Sequence, residues 1–195
     1  MEVAGAVVKA KSEIQLSTFL GEECRAIVNR MLTFLPATPA DAAQIRSLAE
    51  RIWSESYAGI VSAEQMAYMI EWMYSEETIT RELSEGVSWE VARLHSEAVG
   101  YLSVTFGVDA VAKLNKLYLL PAHQGRGLGQ EMLARVFALA AARGVSEIRL
   151  QVNRVNLRAQ LAYERFGFRR IEEAVFSIGS GFVMDDYIMA RSVAS

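Results

Sequence analysis

The sequence predicts an α/β domain, and three observations carry the prediction. A run of strand formers, Lys116 to Leu120, passes through a glycine-rich turn directly into an amphipathic helix. A second strand, Glu147 to Val152, leads on to a helix from Asn156 to Phe166 that Gly167 stops. Upstream, Ser88 to Leu94 and Ala98 to Phe106 read as hairpin strands around His95-Ser96-Glu97, a turn in which His95 is solvated.

The elements follow in chain order. Residues 1–30 contain no secretory h-region, because Lys9 and Lys11 interrupt the apolar stretch. They are expected to be an N-terminal extension: a tail, a helix, or residues ahead of a true start at Met31. A helix packed on the domain is the alternative. The domain pattern occupies residues 31–195, a length that suits one domain, and opens with a strand at Met31 to Ala37. Thr38-Pro39-Ala40-Asp41 is a helix start, with a Thr cap, Pro at the first position and Asp at the third. That helix runs to about Ser54 and buries Ile45, Leu48, Ala49 and Ile52 at helical spacing. After a loop at Tyr57 to Val61, Ser62-Ala63-Glu64-Gln65 reads as a capping box for a second helix to about Met73. Its Met66, Tyr68, Met69, Trp72, Met73 and Tyr74 form an aromatic, methionine-rich surface whose plain reading is core. Ser75 or Thr78 caps a short third helix that ends at Gly86. Beyond the hairpin come the strand Lys113 to Leu120, the helix Gly127 to Arg143 closed by Gly144, and the strand–helix unit described above. Two strands, Phe168 to Ser177 and Gly181 to Arg191, complete the chain. No internal repeat, linker or low-complexity stretch interrupts it.

Composition narrows the function classes. With 20 Lys+Arg against 23 Asp+Glu and a net charge of −3, the chain offers no basic field for nucleic acid. Its apolar runs fall short of the roughly 20 residues that a membrane-spanning helix needs. One cysteine, Cys24, excludes an internal disulfide framework and fits a reducing cytoplasm. One Cys and two well-separated His leave little for a zinc site, so no metal is expected.

The chemistry concentrates where the strand ending at Leu120 meets the helix. Pro121 closes the strand, and Gly125, Gly127 and Gly129 carry the backbone into the first helical turn. A strand, a glycine turn and an open helix N-terminus gather free N–H groups at one point, with the positive end of the helix dipole behind them. Such a point seats an anion, most often phosphate. A Walker loop is excluded because no Lys-Ser/Thr follows the glycines. A dinucleotide fingerprint fits poorly, since the third glycine comes one place early.

Gln124-x-x-Gly127-x-Gly129 instead resembles the pyrophosphate loop of the GNAT superfamily, the acetyl-CoA-dependent N-acetyltransferases. Leu150 to Phe168, with Asn156, Tyr163-Glu164 and Gly167-Phe168, is similar to the second signature of the same superfamily, in the right order. The resemblance implies a central mixed, mostly antiparallel sheet of about six to seven strands. Helices cover both faces, and two splayed parallel strands form the acetyl-CoA cleft. It implies that the backbone of Leu117, Tyr118 and Leu119 binds the pantetheine arm. Gln124, Gly125, Arg126, Gly127, Leu128, Gly129 and Gln130 would hold the pyrophosphate, and Asn156 would contact the pantetheine or order its water. Tyr163 is carried over as the general acid that protonates the leaving thiolate, in contact with the cofactor. Its bland alternative is a half-buried tyrosine packed on the sheet.

The usual base does not carry over. The places where many relatives put a glutamate hold Lys113, Asn115 and Gln151 here, leaving water or an acid such as Glu71, Asp185 or Asp186.

The flanks, Trp53-x-x-x-Tyr57-x-Gly59-Ile60, Gln65-x-x-x-Met69, Trp72-x-Tyr74-Ser75 and Gly181 to Met189, resemble bacterial polyamine acetyltransferases of the PaiA type. This implies a small-molecule amine as acceptor, met by the first two helices, with Tyr57, Tyr68, Asn115 and Asp185 as contacts. Glu64, Glu71, Asp185 and Asp186 at the rim would attract a cation. A protein N-terminus or lysine is the alternative acceptor, and a CoA-binding module without turnover is the alternative of another class. The aromatic second helix and the last strand also suit a homodimer interface.

Overall fold

The computed structural model describes residues 31–193, and the expectation for residues 1–30 lies outside them. The described residues form one seven-stranded sheet in the order β1-β2-β3-β4-β5-β7-β6. The strands are β1 (Leu32–Pro36), β2 (Ser88–Leu94), β3 (Glu97–Phe106), β4 (Val111–Leu119), β5 (Glu147–Asn153), β6 (Arg169–Gly179) and β7 (Phe182–Ser192). Only β4 and β5 run parallel; every other neighbouring pair is antiparallel. The helices are α1 (Ala42–Ser56), α2 (Ala63–Tyr74), α3 (Glu76–Ser84), α4 (Leu128–Ala141) and α5 (Leu157–Arg165). Among the described residues no helix is long and apolar enough to cross a membrane.

Adjacent residues on β2 show which helices cover which face, because successive strand side chains point to opposite sides. Trp89 packs against Tyr101, which meets Tyr74 edge-on, and Tyr74 meets Trp53 of α1. Glu90, one residue on, accepts two hydrogen bonds from Arg135 of α4 at 2.6 and 2.8 Å. Helices α1 to α3 therefore lie on one face and α4 on the other.

Two starts differ in detail from the sequence pattern. Thr38 and Asp41 form their capping box, but Pro39–Asp41 is a single 3-10 turn and the regular helix begins at Ala42. At α2, Ser62 accepts from the Gln65 backbone N–H, yet the Gln65 side chain donates to the Val183 carbonyl at 3.1 Å. The return half of that box is traded for a tertiary bond that ties α2 to β7. Of the two proposed caps for α3, Ser75 accepts from Thr78 N–H.

Gly100 on β3 sets the spacing to β4. A Cβ there would lie 2.4 Å from the Tyr118 carbonyl oxygen and 3.2 Å from Leu119 Cα. Gly100→Ala should therefore push the strands apart and lower stability by about 1–3 kcal/mol, read as a drop in urea midpoint at unchanged slope.

Candidate active site

The site begins with a break in the sheet. On β3, Ser103 pairs with Lys116 and Val104 with Leu114, so Asn115 is the extra residue of a bulge. Its amide donates to Thr105 Oγ1 at 2.8 Å and Ser103 Oγ at 3.4 Å, which uses its side chain on the neighbouring strand. The parallel pairing of β4 with β5 covers only Val111–Leu114 against Glu147–Leu150. Past the bulge the strands splay, and Leu117, Tyr118 and Leu119 line a cleft of about 1550 Å³ that opens between them.

The glycine turn closes one end of this cleft. Gln124 donates its side-chain amide to the Leu119 carbonyl at 2.8 Å, folding the turn back on the strand. Gly125 and Gly127 sit at φ +78° and +85°, the left-handed region that glycine enters without penalty. The first backbone bonds of α4 run from Gln130 and Glu131 to the Gly127 carbonyl, leaving the N–H groups of Gly125 to Gly129 without a backbone acceptor among the described residues, in a turn whose glycines line the cleft. The Leu128 side chain is buried in the core, so only its backbone can serve an anion. Arg126 is exposed and its side chain is not part of the cleft wall. Gln130 donates to the Ala162 carbonyl at 3.2 Å and clasps α4 to α5.

The opposite wall is the start of α5. Asn156 caps this helix, its Oδ1 accepting from Ala159 N–H at 3.1 Å. Gln160, 2 % exposed, donates to the Asn153 and Arg154 carbonyls and holds the β5–α5 loop against the helix. Nothing in the sequence pattern singled out Gln160; a glutamine on the buried stripe of a short helix was its available signal. Tyr163, two turns beyond Asn156, lines the cleft and lies edge-on to Phe168 at 5.8 Å. Burial pushes its phenol well above the ordinary tyrosine range, and the nearby Tyr57 hydroxyl adds to the shift.

The floor on the side of α1 and α2 is aromatic. Tyr57, at the C-terminus of α1, stacks on Trp53 at 4.4 Å and its hydroxyl lies 3.2 Å from that of Tyr118. Trp72, Met69 and Met73 of α2 also face the cleft, whereas Tyr74 is fully buried core. Behind Tyr118, Lys116 is buried with its ammonium 3.2 Å from both oxygens of Glu82 and 4.6 Å from the centre of the Trp89 ring. Burial lowers its pKa and Glu82 opposes that shift.

Three expected contacts lie elsewhere. Tyr68 does not line the cleft: its hydroxyl donates to the Ile178 carbonyl at 2.6 Å and its ring packs on Phe182, which holds it against β6 and β7. Glu64 and Glu71 do not line the cleft, and Glu71 pairs with Arg46 at 2.8 Å. Glu55, Glu82 and Glu85 line the cleft instead, with Asp185 and Asp186. Asp185 lies 3.4 Å from Arg154. Asp186 is 5 % exposed, and burial with the adjacent Asp185 charge raises its carboxyl to about 6.

Comparison with known proteins agrees with this geometry. Residues 45–168 match the acetyltransferase (GNAT) family. An uncharacterized N-acetyltransferase of Mycobacterium tuberculosis is 30% identical over 154 residues, covering 78% of this chain and 98% of that protein. A spermidine N(1)-acetyltransferase of Thermoplasma acidophilum is 27% identical over 150 residues, 74% of this chain and 90% of that protein. The crystal structure of the PaiA N-acetyltransferase of Thermoplasma acidophilum in complex with coenzyme A has the same fold, with a TM-score of 0.71 at 23% identity over 83% of this chain and 98% of that one. The splayed parallel strands, the glycine turn between them and the matched residues lead to one conclusion: the chain belongs to the GNAT family and is an N-acetyltransferase that uses acetyl-CoA as co-substrate.

Proposed function

We propose that the protein moves the acetyl group of acetyl-CoA directly to the primary amine of a small cationic acceptor such as a polyamine, in a ternary complex, with Tyr163 as general acid. The observation that carries this reading is that one cleft is lined by the glycine turn, by Tyr163 and by the acids Asp185 and Asp186. The relationship to a spermidine acetyltransferase supports the same acceptor class.

In this reading the N–H groups of Gly125 to Gly129 hold the pyrophosphate, while Gln124 and Gln130, whose backbone N–H groups already donate to the Pro121 and Gly127 carbonyls, brace the turn through their side chains. Arg126 contributes through its backbone, with its exposed side chain adding long-range charge. The backbone of Leu117, Tyr118 and Leu119, paired with β3 on one side and open toward β5 on the other, binds the pantetheine arm along its open side and directs an N–H at the thioester oxygen, where negative charge develops. Asn156 and Asn115 position the arm and the acceptor from either side, and Tyr57 with Asp185 completes the acceptor contacts. Holding both substrates in line makes the reaction effectively unimolecular. The single cysteine fits a cytoplasmic setting.

The test is acetyl-CoA turnover, followed by thiol release, across spermidine, spermine, simple amines, amino acids and short peptides. Release with polyamines at least tenfold above simple amines is the expected outcome. Release with peptides alone would move the protein to the protein-modifying branch. Silence with acetyl-CoA still bound in calorimetry would leave a binding module.

A further inference from the structure

We propose that Asp186 is the general base that takes the proton from the acceptor ammonium, replacing the glutamate absent from β4 and β5. The inference rests on the amine-acetyltransferase reading and adds the residue that reading leaves open.

Asp186 pairs in register with Asn153, the last residue of β5, where β5 has already left β4, so its side chain stands at the mouth of the splay. It is almost fully buried yet belongs to the cleft wall. The other carboxylates of the wall are engaged or solvated. Glu82 is held by Lys116 and by the Trp89 ring N–H, Glu85 faces Arg81 at 3.9 Å, Asp185 faces Arg154, and Glu55 is exposed. Lys113 and Asn115 on β4 and Gln151 on β5 carry no carboxylate. Among the described residues Asp186 alone combines burial, an unpaired carboxylate and a place in the cleft.

Its surroundings suit the task. From the end of α1 it faces the Tyr57 hydroxyl, which burial makes harder to ionise, an effect to which the Asp186 charge adds. From β4 the Lys113 ammonium opposes the shift, and on its own strand Asp185 reinforces it. Its register partners on β5 and β6 are the neutral Asn153 and Ala174. An alkylammonium loses its proton near pH 10, so a carboxylate of ordinary pKa is a poor base for it. Raised to about 6, Asp186 is a stronger base that is still ionised at neutral pH.

The proton balance closes. Asp186 accepts one proton from the ammonium and later yields it to solvent. The free nitrogen attacks the thioester carbon, the C–N bond forms and the C–S bond breaks. The departing thiolate takes the Tyr163 proton, and the second proton shed by the nitrogen restores Tyr163.

The experiment uses Asp186→Asn with the best acceptor of the panel. Wild-type kcat/KM should fall tenfold per pH unit below about pH 6. Asp186→Asn should lose about 100-fold or more in kcat, lose that acid limb, and keep its acetyl-CoA affinity within about threefold. An unchanged limb or unchanged kcat in the variant overturns the assignment. A loss confined to the acceptor KM would reduce Asp186 to a charge that attracts the amine. A second readout needs no acceptor. The folded-state pKa lies above the ordinary 3.8, so ionising Asp186 weakens the wild-type fold as pH rises through about 6. The variant should therefore melt higher than wild type at pH 8, with the difference fading toward pH 4; superimposable melting profiles also overturn the proposal. Failure of wild type to acetylate any amine removes the transfer reading and this base with it.

Discussion

Replacing Tyr163 by Phe should lower kcat by about 100- to 1,000-fold while leaving acetyl-CoA binding within about threefold. The variant keeps the ring that packs edge-on to Phe168 and removes only the hydroxyl, so the cleft wall survives. Burial keeps the phenol protonated across the working pH range. A raised phenol is a weaker acid in water, where a thiol is the stronger one. In a cleft that has excluded water the departing thiolate is disfavoured for the same reason as the phenolate, and the difference between them decides the transfer. Single-turnover kinetics beside calorimetry separates the two effects. A kcat equal to wild type would remove Tyr163 from the mechanism, and a joint loss of binding would make it a packing residue.

The second large effect is on stability. Arg135→Met should destabilise the fold by about 3–5 kcal/mol, because it strands the carboxylate of Glu90, which is 3 % exposed on β2. Arg135 holds Glu90 through two charge-assisted bonds, and Glu90 in return raises the guanidinium pKa. Glu131, one turn earlier, accepts from the Leu32 N–H at 2.7 Å, so α4 is fastened to two strands. The N-terminus of that helix is the glycine turn, and loosening the helix loosens the proposed anion seat. Urea unfolding of Arg135→Met and of the double variant Arg135→Met/Glu90→Leu checks the cause. Recovery in the double variant is expected, since removing both charges leaves no unpaired buried group. No recovery would place the loss in the packing of the arginine stem over Phe34.

Local chemistry explains what could be read early. Strand and helix boundaries follow from period and punctuation: Pro121, Gly144 and Gly167 each end an element near where the pattern places it. The glycine turn is legible because its backbone needs φ values that only glycine takes freely, so residue identity reports conformation directly. The helix from Asn156 to Phe166 is legible from its period and its glycine stop, and the structure has it at Leu157–Arg165 with Asn156 as its cap.

Side-chain destinations across the fold were not legible. Tyr68 and Trp72 lie one turn apart and stack at 6.2 Å, yet Trp72 lines the cleft while Tyr68 spends its hydroxyl on Ile178. Glu71 looks like a rim acid in the sequence and is drawn instead to Arg46, whose position depends on how α1 and α2 pack.

By itself the sequence determined the order of elements, the glycine turn and the superfamily resemblance, because each depends on neighbouring residues and backbone preference. Only the tertiary structure decided that the bulge at Asn115 ends the β4–β5 pairing, and that among several acids Asp186 is the one both buried and unpaired. Burial and pairing belong to residues far apart in the chain that meet in space, and a pKa is set by that meeting.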